Sequence, residues 1–265
     1  MKLAISALAS GSSGNCYVIA SDNTTILVDA GISGKQIFKN LQDLSREKID
    51  AALITHEHSD HIKGLAALKT RGVKVYTNQK TLEAIEKIGL ETDAEIFETG
   101  SSFLIGDIQV SSFSVSHDAA DPCGFSFSKD DSAISIITDT GYVTPDCYKY
   151  MQCADILVLE SNHDESMLRV GRYPWFLKQR ILGKKGHLSN EAAANALLEV
   201  LKLDELSGRQ RQRLVLLAHL SKENNFPEMA KATMGNILES NGFSVGKTIN
   251  IITLERDNPS PLYIL

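Results

Sequence analysis

The stretch THEHSDH, from Thr55 to His61, crowds His56, His58, Asp60 and His61 into a few residues. Imidazoles and a carboxylate packed so closely are costly in electrostatics and in ordering unless they share a metal ion. An apolar run, Ala51 to Ile54, leads straight into the cluster and sets it at the end of an expected strand. α/β folds keep their chemistry at such strand ends. Three further metal-competent side chains follow the same rule. His117 comes after the alternating run Ser112 to Ser116, Asp139 after Ile134 to Thr138, and His219 after Leu214 to Ala218. A lone strand-end histidine is ordinarily structural, but repetition along the chain makes convergence on one centre the simpler account. These five histidines and two aspartates can hold two metals, with one carboxylate bridging.

With these residues in place, the chain resembles the metallo-β-lactamase fold hydrolases. Their His-x-His-x-Asp-His motif matches at His56, His58, Asp60 and His61, and their later His, Asp and His match at His117, Asp139 and His219. The resemblance implies one metal on His56, His58 and His117, a second on Asp60, His61 and His219, and Asp139 between them. It also implies a four-layered αβ/βα sandwich, an α/β fold. The motif specifies the fold and leaves the substrate open, since one fold hosts many activities. The opening ALASGSSGNCYVI, then TILVDAG, LESNHD and GHLSNEAA, together look like the YycJ/WalJ group of bacterial metallo-hydrolases. That likeness implies a 5′-to-3′ exodeoxyribonuclease using a hydroxide activated by two divalent ions, Zn2+ or Mn2+. A small-molecule or cyclic-nucleotide phosphodiesterase, and an RNA-processing nuclease, are the alternatives on the same core. A non-catalytic, protein-binding role is a distant third, since no ligand is missing.

The phosphodiesterase side of the family carries a Glu after the bridging Asp and a His before the last ligand; here Glu160 and His187 stand there. In the expected mechanism Asp60 orients the hydroxide as well as ligating. His187 protonates the leaving oxygen, and Glu160 fixes its tautomer. The bland alternatives are a helix-start residue ahead of the cap Ser189 for His187, and a plain strand-end carboxylate for Glu160. Asp29, flanked by apolar residues, must be hydrogen-bonded if buried. By resemblance it supports the first motif from behind, and a structural role tying strand to turn is an equal reading. The glycine- and serine-rich loop can cradle a phosphate through its amides and through Ser12, Ser13 and Asn15; a tight turn needs the same glycines. His163 is a candidate contact for a terminal phosphate, or a support behind the site.

The 265 residues can bury a large core, and 43% apolar with 23% charged residues is ordinary for a globular chain. We read residues 1–265 as a single domain, since no linker or low-complexity stretch divides them. No apolar run reaches the length of a membrane span. Lys2 and the short run after it read as a first strand, not as an export signal. Cys16, Cys123, Cys147 and Cys153 form no C-x-x-C pair, which suits a reducing cytoplasm. The net charge of −6 is unusual for a general duplex binder, but it is unevenly spread. Ser166 to Arg213 holds ten Lys/Arg against four Asp/Glu. Arg169 and Arg172 open this segment, and Tyr173 and Trp175 interleave with its cations. That pattern can set cations on a nucleic-acid backbone and rings on bases. It equally fits a solvated helix with Trp175 and Phe176 in a local core. The expected partner is DNA with a 5′-phosphate end.

The elements that must position these residues alternate between strand and helix. Strands are expected at 2–8, 16–21, 25–29, 51–54, 73–76, 103–105, 108–116, 124–128, 133–138, 156–160, 213–218 and 248–254. Helices are expected at 33–45, 62–70, 78–88, 144–151, 173–182, 189–201 and 227–241.

Overall fold

The first three strands, β1 (Ala4–Ala9), β2 (Cys16–Ala20) and β3 (Thr25–Val28), are apolar and wholly buried. The loops between them are short and polar, so the strands run antiparallel. Parallel pairing then needs helical crossovers. α1 (Gly34–Asp43) supplies the first, opened by a capping box between Ser33 and Gln36 and burying Ile37 and Leu41. β4 (Ala51–Leu53) follows, then α2 (Ser59–Ile62) and α3 (Leu65–Thr70), β5 (Val75–Thr77), α4 (Gln79–Lys87) and β6 (Ala94–Ile96). β3, β4, β5 and β6 pair in parallel in that order. β7 (Ser102–Ile105), β8 (Ile108–Ser114) and β9 (Cys123–Lys129) make an antiparallel ladder.

In this computed structural model, residues 3–208 and 212–265 are described. They form two compact units. The elements above belong to the first, which comprises Met1–Ser114, Ala119–Ser132 and Glu255–Leu265. The second, Val115–Asp118 with Ala133–Leu254, is a parallel αβ run. β10 (Ser132–Ile137), α5 (Pro145–Cys153) and β11 (Ile156–Glu160) lead to α6 (Glu165–Val170), α7 (Trp175–Leu182) and α8 (Asn190–Leu206). β12 (Arg213–Ala218), α9 (Pro227–Ser240) and β13 (Ile249–Thr253) complete it. β10, β11, β12 and β13 pair in parallel, and β11 is buried along its whole length. The chain then returns to the first unit. Ser260 N donates to Ala7 O at 2.8 Å, Leu265 N donates to Leu3 O at 2.9 Å, and β14 (Tyr263–Ile264) pairs with β1.

Two mixed sheets with flanking helices bear out the expected α/β class. Several boundaries differ. The helix expected over 62–70 starts only at Leu65, as α3, and Gly64 parts it from the short α2 ahead of it. The Gly64 amide donates to Ala30 O at 2.6 Å, and a Cβ there would lie 2.5 Å from Ile32 O. β6, β14 and α6 were not foreseen. The two strands are short and carry no clean alternation, and α6 is barely more than a turn and a half. α8 runs on to Leu206, past the expected end at Leu201. Lys2, at the start of the first expected strand, lies outside the described residues. No helix is long and apolar enough to cross a membrane among the described residues.

Candidate metal centre

In the first unit, β3 and β4 end side by side and deliver Asp29 and the Thr55–His61 stretch to one place. Asp29 is buried and takes the left-handed backbone conformation, φ 61°. Its carboxylate accepts from His61 Nδ1 at 2.7 Å, from Thr55 N at 2.9 Å and from the Thr55 hydroxyl at 3.0 and 3.1 Å. Burial pushes the Asp29 pKa up, and the contacts with His61 and Thr55 oppose the rise. The Thr55 hydroxyl in turn lies 3.0 Å from His56 Nδ1. Since that hydroxyl gives its proton to Asp29, it accepts from His56. The rings of His56 and His58 meet edge-on with centroids 4.6 Å apart, and those of His56 and His61 lie 4.0 Å apart. Asp60 Oδ2 stands 3.6 Å from His61 Nε2.

In the second unit, Asp139, His219 and Glu160 stand at or just beyond the ends of β10, β12 and β11. Asp139 and His219 are both left-handed, with φ 56°. An L-residue at positive φ outside glycine marks a strained position, a signature of functional sites. Glu160 is fully buried. Its Oε1 accepts from His187 Nδ1 at 2.7 Å and from His219 Nδ1 at 2.8 Å, while Oε2 accepts from Thr140 N at 2.9 Å and Leu188 N at 3.3 Å. Burial alone would raise the Glu160 pKa, but the two imidazoles outweigh it and hold the carboxyl well below the ordinary range. One potential ligand atom from each of Asp139, Glu160, His187 and His219 lies within 4.8 Å of the others. Asp139 Oδ1 is 3.4 Å from His219 Nε2 and 3.9 Å from His117 Nε2. His117 Nδ1 donates to Gly186 O at 3.1 Å, and burial pushes its pKa down.

The donor set fits divalent metal ions. A metal-bound histidine gives its second ring N–H to an oxygen, which fixes the tautomer and frees the other nitrogen. Here the Nδ1 atoms of His56, His61, His117 and His219 each meet such an oxygen, on Thr55, Asp29, Gly186 and Glu160. Such a contact orients each ring with Nε2 on the side away from that oxygen, the arrangement a metal ligand requires. Thr55, which links Asp29 to His56, and the Gly186 carbonyl were not foreseen. A threonine beside a motif carries no sequence signal for that task, and a carbonyl carries none at all.

The expected substrate residues are placed as follows. Ser12 and Ser13 are exposed. Asn15 is buried; its amide donates to Asp60 Oδ2 at 3.4 Å, lies 3.2 Å from His61 Nε2, and closes onto Gly11. His163 is 1% exposed, and neither ring nitrogen meets a hydrogen-bond partner among the described residues. Burial pushes its pKa down to about 4, so the ring is neutral at pH 7. Arg169 pairs with Glu165 at 3.1 Å on its own helix, and Arg172 is exposed. Trp175 and Phe176 are exposed, which removes the local-core reading.

Comparison with known proteins agrees with this chemistry. A family profile described as the beta-lactamase superfamily domain matches residues 24–205. The chain is 42% identical to the exodeoxyribonuclease YycJ of Bacillus anthracis, over 99% of both chains. It is 43% identical to the exodeoxyribonuclease WalJ of Streptococcus pneumoniae serotype 2 (strain D39 / NCTC 7466), over 97% of this chain and 96% of that one. Among solved structures, the metallo-beta-lactamase fold protein YhfI from Bacillus subtilis aligns over 98% of this chain and 100% of its own. Its TM-score is 0.71 at 15% identity, a likeness of fold.

Proposed function

Because the chain belongs to the β-lactamase superfamily and carries its dinuclear-metal hydrolase motif, we propose that it is a 5′-to-3′ exodeoxyribonuclease. The observation that carries this reading is the carboxylate of Glu160, which grips His187 and His219 through one oxygen. A metal-site carboxylate that also holds a further histidine suits a reaction with a poor leaving group, as a nucleic-acid 3′ oxygen is. The whole-length identity to two proteins named as exodeoxyribonucleases supports DNA as the substrate.

Two ions, Zn2+ or Mn2+, are proposed per chain, on the seven ligands of the motif: His56, His58, Asp60, His61, His117, Asp139 and His219. Residues 1–265 are read as one catalytic domain. Bound ions would offset the charge of the phosphodiester and lower the pKa of the attacking water. The chain's own residues do the rest. Asp60, braced by Asn15, orients the attacking oxygen. His187 keeps Nδ1 on Glu160 and so presents Nε2 as the proton donor to the leaving oxygen. The His187 and His219 imidazoles hold Glu160 ionised, and Thr140 N and Leu188 N donate to its other oxygen. Ser12, Ser13, Asn15 and His163 are the proposed contacts of the terminal phosphate, and Arg169 and Arg172 those of the nucleic-acid backbone. Four cysteines without a C-x-x-C pair fit a cytoplasmic enzyme.

The test is a single-turnover time course on the same DNA strand bearing a 5′-phosphate or a 5′-hydroxyl, with Mn2+ or Zn2+. Faster decay of the phosphorylated strand, with mononucleotides from the first time points, is expected. Equal rates, or products of mixed length from internal cuts, would overturn the anchored exonuclease.

A further inference from the structure

α7 is built inside out. It exposes Trp175 (66%) and Phe176 (72%) while burying Lys178, whose Nζ donates to Arg169 O at 2.7 Å. Water disfavours such exposed ring area unless a partner covers it, whereas lysine is rarely buried. The charge around the rings names the class of partner. Residues 166–187 hold six Lys/Arg and no Asp or Glu, in a chain of net charge −6. Apolar homodimer faces are depleted in charge at their centres. Arg169 and Arg180 are paired with Glu165 and Asp118 and Lys178 is buried, which leaves Arg172, Lys184 and Lys185 as the exposed cations of the same segment. Exposed rings with such cations hold a single nucleic-acid strand, bases on rings and phosphates on cations. A blunt duplex keeps its base faces stacked and hidden.

The same helix is tied to the proposed proton donor. His187 N donates to Ile181 O at 3.0 Å, so the last turn of α7 carries His187 directly. Arg180 is hydrogen-bonded to Asp118, and the Ser116 hydroxyl donates to Lys184 O at 2.8 Å, which fastens the helix beside His117. The aromatic end and the His187 end are therefore separated by the length of α7. Its 8 residues span about 12 Å, or roughly three to four nucleotides at 3.4 Å per stacked step.

We propose that Trp175 and Phe176 form a stacking platform for the bases of single-stranded DNA, about three to four nucleotides 3′ of the bond cleaved beside His187. The platform rests on the nuclease reading above and adds a strand preference and a minimum strand length to it. Trp175 is the sole tryptophan, so the fluorescence of the native chain reports from the platform itself.

The experiment titrates the metal-loaded protein with hydrolysis-resistant phosphorothioate oligothymidylates: a dinucleotide, a strand of about ten nucleotides, and a blunt duplex of that length. Stacking predicts quenching by the long strand alone. In a parallel anisotropy assay with labelled strand, the double variant Trp175→Ala/Phe176→Ala should bind the long strand at least about tenfold more weakly. Trp175→Phe should restore most of that loss. Unchanged affinity in the double variant, or equal quenching by dinucleotide and duplex, overturns the platform. So does a concentration-dependent dimer, seen by sedimentation without DNA, that the double variant abolishes. A protein that degrades DNA with no quenching loses the platform and keeps the nuclease reading; quenching and length-dependent binding without degradation do the reverse.

Discussion

At the scale of single residues, His187 and His163 make the sharpest contrast, since both imidazoles lie in the field of Glu160. His187 is half-buried and tethered by Nδ1. His187→Ala should therefore slow DNA hydrolysis by about 10²–10⁴ while the protein keeps its metal content. A nitrophenyl phosphodiester needs little protonation of its leaving group and should lose far less. Equal losses on both substrates, measured as kcat/KM, would assign His187 to positioning instead. His163 is buried and resists protonation to about pH 4, whereas an unfolded histidine takes up its proton near pH 6.5. Between those values the unfolded chain binds more protons. Stability that is present above pH 6.5 is thus lost as the pH falls towards 4, by up to about 3 kcal/mol from this one group. His163→Gln cannot titrate, so the gap in Tm between wild type and variant should change sign or narrow between pH 7 and 4.5. Parallel Tm profiles would refute the assignment. The proposed ligands were legible in the sequence because they stand at or just past expected strand ends: apolar runs for the first motif, Asp139 and His219, and an alternating run for His117. Thr55 was not. Its value lies in a hydroxyl that gives to Asp29 and takes from His56, and only geometry reveals such a relay.

At the scale of elements, what mattered was the spacing between backbones. Gly31 N donates to Asn15 O, and Asn15 N donates to Asp60 O, each at 2.8 Å, so three segments of the first unit interlock without side chains. A Cβ on Gly31 would stand 1.7 Å from Asp60 O. Gly31→Ala should cost roughly 1–3 kcal/mol through forced backbone shifts. It should also displace Asp60, so the stabilisation by added Mn2+ should shrink in thermal melts. A variant that melts lower yet gains as much from Mn2+ as wild type would show that Asp60 had not moved. Most strands and helices were legible because apolar periodicity is a local property. The late start of α3 was not, because the contact of Gly64 with Ala30 joins residues far apart in the chain. Neither were β6 and β14, because strands of three and two residues are defined by their neighbours and not by their own pattern.

At the scale of the whole molecule, the proposed metal centre would couple metal binding to folding. Elemental analysis after chelation and readdition of Mn2+ or Zn2+ should approach two ions per chain, with Tm rising as the metal returns. A plateau at one ion, with Asp60 replaceable at no loss, would sink the dinuclear proposal. The path of the chain bears on the protein's life in storage. Glu255–Leu265 crosses back to lie along β1, whose six residues are all buried. The approach to that strap is the exposed stretch Asp257–Pro259, the kind of loop that proteases nick. A single cut there frees the strap from the rest of the chain and bares a long, flat, apolar strand edge, which is a template for edge-to-edge aggregation. Limited proteolysis followed by light scattering should show turbidity rising as soon as the small C-terminal fragment dissociates. The same edge would be exposed by any recombinant form truncated after Leu254, so material lost to inclusion bodies from such a form would reflect an uncapped sheet and not a faulty metal site.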